Sequence, residues 1–157
     1  MRLVVREETV VETTPEAVWR VLADPARRGE WNEKIVRVER ARGGVPRVGE
    51  RYRLRYRLGR HEREMDAEVE ACEAPLRLAV RERPARDPDP ARSVLLTWRL
   101  EPVGGGVRIV QLVDISHAPM AWPIKLLMWI MARIGKPQGA TVVETLGELV
   151  LTEPTPQ

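Results

Sequence analysis

The chain's one cysteine, Cys72, and its two histidines, His61 and His117, are the first candidates for nucleophilic or metal chemistry, and their placement argues against both. The histidines fall at the ends of predicted strands. Cys72 falls with Glu68 and Glu70 on the polar face of another strand, so no base is expected beside its thiol. The three also lack any zinc-like spacing, and neither a metal nor a cofactor is expected. Gly104-Gly105-Gly106 lies between two strand-like runs with no helix after it, which makes it a hairpin turn and not a phosphate cradle.

Polar residues on otherwise apolar faces are better candidates. A two-residue turn at Leu58-Gly59-Arg60-His61 sets Arg57 against Glu62, Arg55 against Glu64, Arg53 against Asp66 and Arg51 against Glu68. Four consecutive opposite-charge pairs fix that register. The other face then carries Tyr52, Leu54, Tyr56 and Leu58 opposite Met65, Ala67, Val69 and Ala71. Arg63 points inward too, opposite Tyr56, where it meets a ligand's anionic group or, if the hairpin tip curls away from the core, water. Pairing Glu101 with Arg108 in the next hairpin puts Gln111 inward beside Trp98, where a buried amide needs a partner. The expected ligand-binding set is Trp31, Tyr52, Tyr56, Arg63, Met65, Trp98, Gln111, Trp122 and Trp129. Trp19 is expected to be core beneath the first helix.

The elements that must position these groups read as follows. Arg2 to Thr13 is β-branched, and Thr13-Thr14-Pro15-Glu16 supplies a cap and a first-turn proline for a helix to about Ala23. Asp24-Pro25 starts a second short helix ending near Gly29 and Trp31. Six further strands follow, about 35–42, 51–58, 61–71, 76–83, 93–101 and 107–116. Met120 to Ile134 then has only Lys125 and Arg133 as charges, a quarter turn apart. It is too short to span a bilayer and suits a helix buried against the sheet; a second copy of the chain or transient contact with a membrane surface stay open as its other partners. Gly135 to Gly139 should kink or break the helix before it resumes over Ala140 to Leu151. The 157 residues suit one domain, 1–151, with a flexible tail at 152–157. A net charge of +3 with basic and acidic residues interleaved gives no uniformly basic face, so nucleic acid is not an expected partner. The charged N-terminus and lone cysteine fit a cytoplasmic protein without a signal peptide, monomeric or homodimeric.

The run Val11-Glu12-Thr13-Thr14-Pro15-Glu16-Ala17-Val18-Trp19-Arg20-Val21-Leu22-Ala23-Asp24-Pro25, with Glu30-Trp31 after it, resembles the opening signature of the START-like (SRPBCC) superfamily. That superfamily includes polyketide cyclases, lipid-transfer domains and pollen allergens. The resemblance implies an α+β helix-grip fold: a curved seven-stranded antiparallel sheet, two short helices after strand one, and a long C-terminal helix enclosing a cavity. It implies a small hydrophobic ligand, a lipid, isoprenoid or polyketide, that is bound, sequestered or transferred. A polyketide cyclase or dehydrase, with Tyr56, Arg63, His61 or Gln111 polarising a carbonyl, is the alternative, and the residues do not choose between them.

Overall fold

The computed structural model describes residues 2–87, 89, 91–134 and 141–153. Strand β1 (Val4–Val11) runs into helix α1 (Pro15–Leu22), a 3-10 turn (Pro25–Arg27) and the single-turn helix α2 (Arg28–Trp31). Each restart has its own cap. Thr14 Oγ1 accepts from the Ala17 amide at 3.2 Å, Asp24 Oδ1 accepts from the Ala26 amide at 3.0 Å, and a proline takes the first position where its missing donor costs nothing. Strands β2 (Ile35–Glu39), β3 (Arg51–Leu58), β4 (His61–Glu73), β5 (Arg77–Pro84), β6 (Val94–Val103) and β7 (Gly106–Asp114) follow, then helices α3 (Trp122–Ile134) and α4 (Val142–Thr152). The seven strands form one antiparallel sheet in the order β1-β7-β6-β5-β4-β3-β2. This is the helix-grip arrangement expected.

Both hairpin registers follow the sequence reading. Leu58 pairs with His61 across a turn in which Gly59 takes φ of 64°, and Arg57, Arg55, Arg53 and Arg51 face Glu62, Glu64, Asp66 and Glu68. All four pairs form ion contacts, at 3.0, 2.9, 2.9 and 3.7 Å. The charged surface continues onto β5 through Arg83 with Glu68 and Arg81 with Glu70. In the β6–β7 hairpin Glu101 pairs with Arg108 and Trp98 with Gln111.

Strand β4 departs from strict alternation. Between Val69 and Ala71 the pairing with β5 slips by one residue, so that Val69 faces Val80 while Cys72 faces Leu78. A β-bulge of this kind reverses which face later residues present. Cys72 therefore packs half-buried against the apolar core, instead of standing on the polar face with Glu68, and burial pushes its thiol above the usual range.

The C-terminal segment also differs from expectation. It is α4 that closes the fold, burying Val143, Leu146, Gly147 and Val150 over β1, α1 and α2. Helix α3 lies mostly in solvent, touching a small satellite core of Leu3, Ile115 and Ala118 through Trp129, with Met120 of the preceding segment packed on the same core. Charge content predicted burial, but the sheet face that α3 would need is already taken by α4. The expected break at Gly135 to Gly139 lies outside the described residues, as do Pro154 to Gln157 in the expected tail.

Close approach of α4 to β1 depends on Gly147, where a Cβ would sit 2.7 Å from Val11 Cγ2. Alanine in a helix interior ordinarily gains up to ~1 kcal/mol over glycine. Overpacking a stiff β-branched neighbour costs about 1–3 kcal/mol, so the clash decides the sign. Gly147→Ala is expected to lower stability in chemical denaturation, and adding Val11→Ala to recover part of the loss. A stabilised Gly147→Ala variant would show that α4 has room to move off β1.

Candidate functional site

The inner face of the sheet is mostly apolar; Glu7, half-buried opposite Gln111, is one polar exception, and a fully buried cluster around β5 is the other. Alternation along β5 puts Leu78, Val80 and Glu82 on the inside, and Glu82 ends up 3% exposed. Its partner comes from α2. Arg28 lies one helical turn before the buried Trp31, so the two share a face, and Arg28 is 2% exposed. Arg28 Nη1 lies 2.5 Å from Glu82 Oε1, an ion pair closed off from solvent.

The two tyrosines of the chain complete the cluster. Tyr56 Oη donates to Glu82 Oε2 at 2.7 Å, while Arg28 Nη1 donates to Tyr52 Oη at 3.3 Å and Nη2 to Tyr56 Oη at 3.4 Å. Two indoles wall the guanidinium, whose carbon lies 5.9 Å from the Trp31 ring centroid and 5.2 Å from that of Trp98. The indoles meet edge to face at 5.8 Å, and Trp98 Nε1 donates to Gln111 Oε1 at 2.7 Å. Arg28 Nε and Trp31 Nε1 are buried N–H donors without a protein acceptor. Such groups cost about 1–3 kcal/mol each when left unpaired.

Charge is held firmly here. Burial alone would push the Arg28 guanidinium down, but the Glu82 carboxylate and the Tyr56 and Tyr52 oxygens more than offset it, and Arg28 is held well above its usual range. Burial pushes the Tyr56 phenol well above the usual value and the Glu82 carboxylate adds to it. Burial raises Tyr52 as well, with Arg28 opposing. Both phenols therefore keep their protons at a pH where a free phenol begins to lose its own, Tyr56 most firmly.

Of the residues singled out from sequence, Trp31, Tyr52, Tyr56, Trp98 and Gln111 meet in this cluster. Met65 is half-buried beside the core and pairs with Leu54 in the β3–β4 register. Arg63 pairs with Tyr56 in that register, but its side chain is exposed at the hairpin end, in a cleft of about 620 Å³ shared with Arg55, Glu64 and Arg86. Trp122 is 69% exposed, and Trp129 packs on the satellite core beneath Arg133. Neither reaches the cluster. Trp19 is core, as expected. Arg28 and Glu82 were not singled out, although parity along β5 and the one-turn spacing to Trp31 point to both. A cleft of about 200 Å³ reaches Tyr52 from outside, lined by Arg40, Arg51, Asp66 and Glu68.

Fold and cluster together define a helix-grip protein with a polar group set inside an apolar grip. Solved structures share the fold. Protein CV1439 from Chromobacterium violaceum is 18% identical with a TM-score of 0.68, over 96% of this chain and 98% of that one. TTHA0849 from Thermus thermophilus is 22% identical with a TM-score of 0.65, over 94% and 97%. Ara h 8.0201 is 13% identical with a TM-score of 0.64, over 98% and 100%. A search of curated proteins found no match. Residues 2–146 match the family described as polyketide cyclase / dehydrase and lipid transport, and the chain belongs to that family.

Because Tyr52 and Tyr56 are the chain's only tyrosines, phenolate absorbance reports on this cluster alone. The denatured chain is expected to titrate near pH ~10, and the folded protein to show no phenolate there. The sign follows from the raised folded values. Stability is full below the unfolded value and falls as pH climbs above it, because the unfolded chain loses protons that the folded one keeps. Phenolate appearing in the folded protein at pH ~10 would mean that the cluster is wet. Removing one side of the pair is a second measure. Glu82→Gln strands Arg28 and is expected to cost ~3–5 kcal/mol, with the apolar double variant Arg28→Met, Glu82→Leu losing less. A Glu82→Gln variant as stable as the parent would contradict the ion pair.

Proposed function

We propose that this protein binds a small hydrophobic ligand inside the grip and holds the ligand's hydrogen-bond acceptor, a carbonyl or carboxylate oxygen, at the Arg28 cluster. The observation that carries this reading is the pair of unpartnered buried donors, Arg28 Nε and Trp31 Nε1, that meet in one cluster; the other unpartnered buried atoms, Trp19 Nε1 and Glu7 Oε2, belong to residues outside it. Glu82 and the Gln111 carbonyl are already engaged by Arg28, Tyr56 and Trp98, so what the cluster has to spare is donors. A ligand acceptor satisfies them, and its apolar body gains from burial against Trp31, Trp98 and Tyr52. The family's description, which names lipid transport, supports the same ligand class.

A second reading rests on Tyr56. Its buried O–H donates to Glu82 at 2.7 Å; turned from Glu82 toward a ligand carbonyl, it becomes the hydrogen-bond donor that a cyclase or dehydrase needs to polarise that carbonyl. Under that reading Tyr56→Phe abolishes turnover of a poly-β-keto substrate while ligand retention survives.

A denaturing solvent extract of the purified protein, run by mass spectrometry, is expected to contain an apolar compound bearing carbonyl or carboxylate oxygen. The stripped protein is then titrated with a long-chain carboxylate, the matching methyl ketone and the matching alkane, following tryptophan emission. Pairing one stranded donor is worth about 1–3 kcal/mol, so the alkane should bind roughly ten-fold or more weakly than the other two. Equal affinity for all three would remove the acceptor-binding role from Arg28 and Trp31.

A further inference from the structure

Helix α3 is amphipathic in the inverted sense. Ile124, Leu127, Met128, Ile130, Met131 and Ile134 are all exposed, from 38% at Ile130 to 81% at Ile134. At ~100° per residue they fill one continuous face about 160° wide. The opposite side turns toward the body of the protein and carries the helix's two cations: Lys125 donates to the Ser116 carbonyl at 2.8 Å, and the Arg133 guanidinium lies 4.2 Å over the half-buried Trp129 ring. Lys125 thus ties the helix to the segment after β7 while its apolar side faces outward. Trp122, at the start of the helix, is exposed as well. Contiguous apolar surface of this kind on a folded chain marks a docking surface.

We infer that α3 is a membrane-docking helix that lies in the interface of a bilayer containing anionic phospholipid. Charge selects this occupant. No Asp or Glu occurs between Asp114 and Glu144, whereas Lys125, Arg133 and Lys136 fall in that stretch, in a chain whose basic and acidic residues otherwise nearly balance. An apolar face that enters the boundary between headgroups and acyl chains brings the cations on the other side of the helix to the level of the phosphates, and an exposed tryptophan suits the same depth. Among the described residues no helix is long and apolar enough to cross a membrane, which restricts α3 to lying on the surface. The inference does not depend on what the Arg28 cluster holds.

The test is co-sedimentation of the full chain with phosphatidylcholine vesicles and with vesicles in which about a third of the lipid is phosphatidylglycerol, beside light scattering for mass. Wild type should pellet with the anionic vesicles, and several-fold less with phosphatidylcholine alone or in high salt. The double substitution Leu127→Glu, Met131→Glu changes two exposed side chains and should leave the melting temperature unchanged while lowering vesicle affinity at least ten-fold. Unchanged binding of that variant would overturn the inference, and so would failure of wild type to pellet with anionic vesicles. A wild-type dimer that the double substitution dissociates, without vesicle binding, would reassign the face to self-association.

Discussion

The buried pairing of Arg28 with Glu82 is the contact on which the interior depends. An arginine at the centre of an apolar fold persists only where a carboxylate and further oxygens meet it, since the desolvation of either charge alone costs several kcal/mol. That requirement ties together elements far apart in sequence: α2 supplies the cation, β5 the carboxylate, β3 the two phenols, and β6 the indole plane opposite Trp31. A shift of any of these by one register step would leave a bare charge in the core. The cluster is thus as much a constraint on how the sheet and α2 meet as a site of chemistry.

Much of the sheet was legible in the residue order because its signals are local. Alternation and opposite charge within one hairpin determine β3 against β4, and the glycine turn does the same for β6 against β7, which is enough to bring Trp98 and Gln111 together. Tyr52, Tyr56 and Trp31 followed from inward parity and a helix end. What stayed hidden is non-local. Nothing in the order of residues links Arg28 to Glu82, which stand far apart in the chain and meet only because α2 folds back over the sheet. The bulge after Val69, which turns Cys72 inward, has no residue signature in Glu68-Val69-Glu70-Ala71. Arg63 has the expected pairing partner, but the hairpin end carries it out of the core.

Helix α3 teaches a different limit. Low charge content says that a segment prefers to leave water; it does not say where. Two helices compete for the single covered side of the sheet, and α4 wins because Gly147 lets its backbone approach β1 at a distance no other side chain allows. Helix α3, with no glycine and with cations on the side that meets the body, is left with its apolar face outward.

The stability of the chain and its interior polarity are therefore supplied by different faces of the same sheet. The inside carries an ion pair that contributes little net stability and, beside it, two unpartnered donors, Arg28 Nε and Trp31 Nε1, that subtract from it. The outside carries charge pairs across β3, β4 and β5 that are individually weak in water but hold the register, and register is what keeps Tyr52 and Tyr56 facing Arg28. An apolar pair of the same volume at positions 28 and 82 would serve folding as well or better. A core that retains unsatisfied polarity where hydrocarbon would fit breaks the local rule of polar satisfaction without a structural gain, and such departures concentrate where a protein does its chemistry.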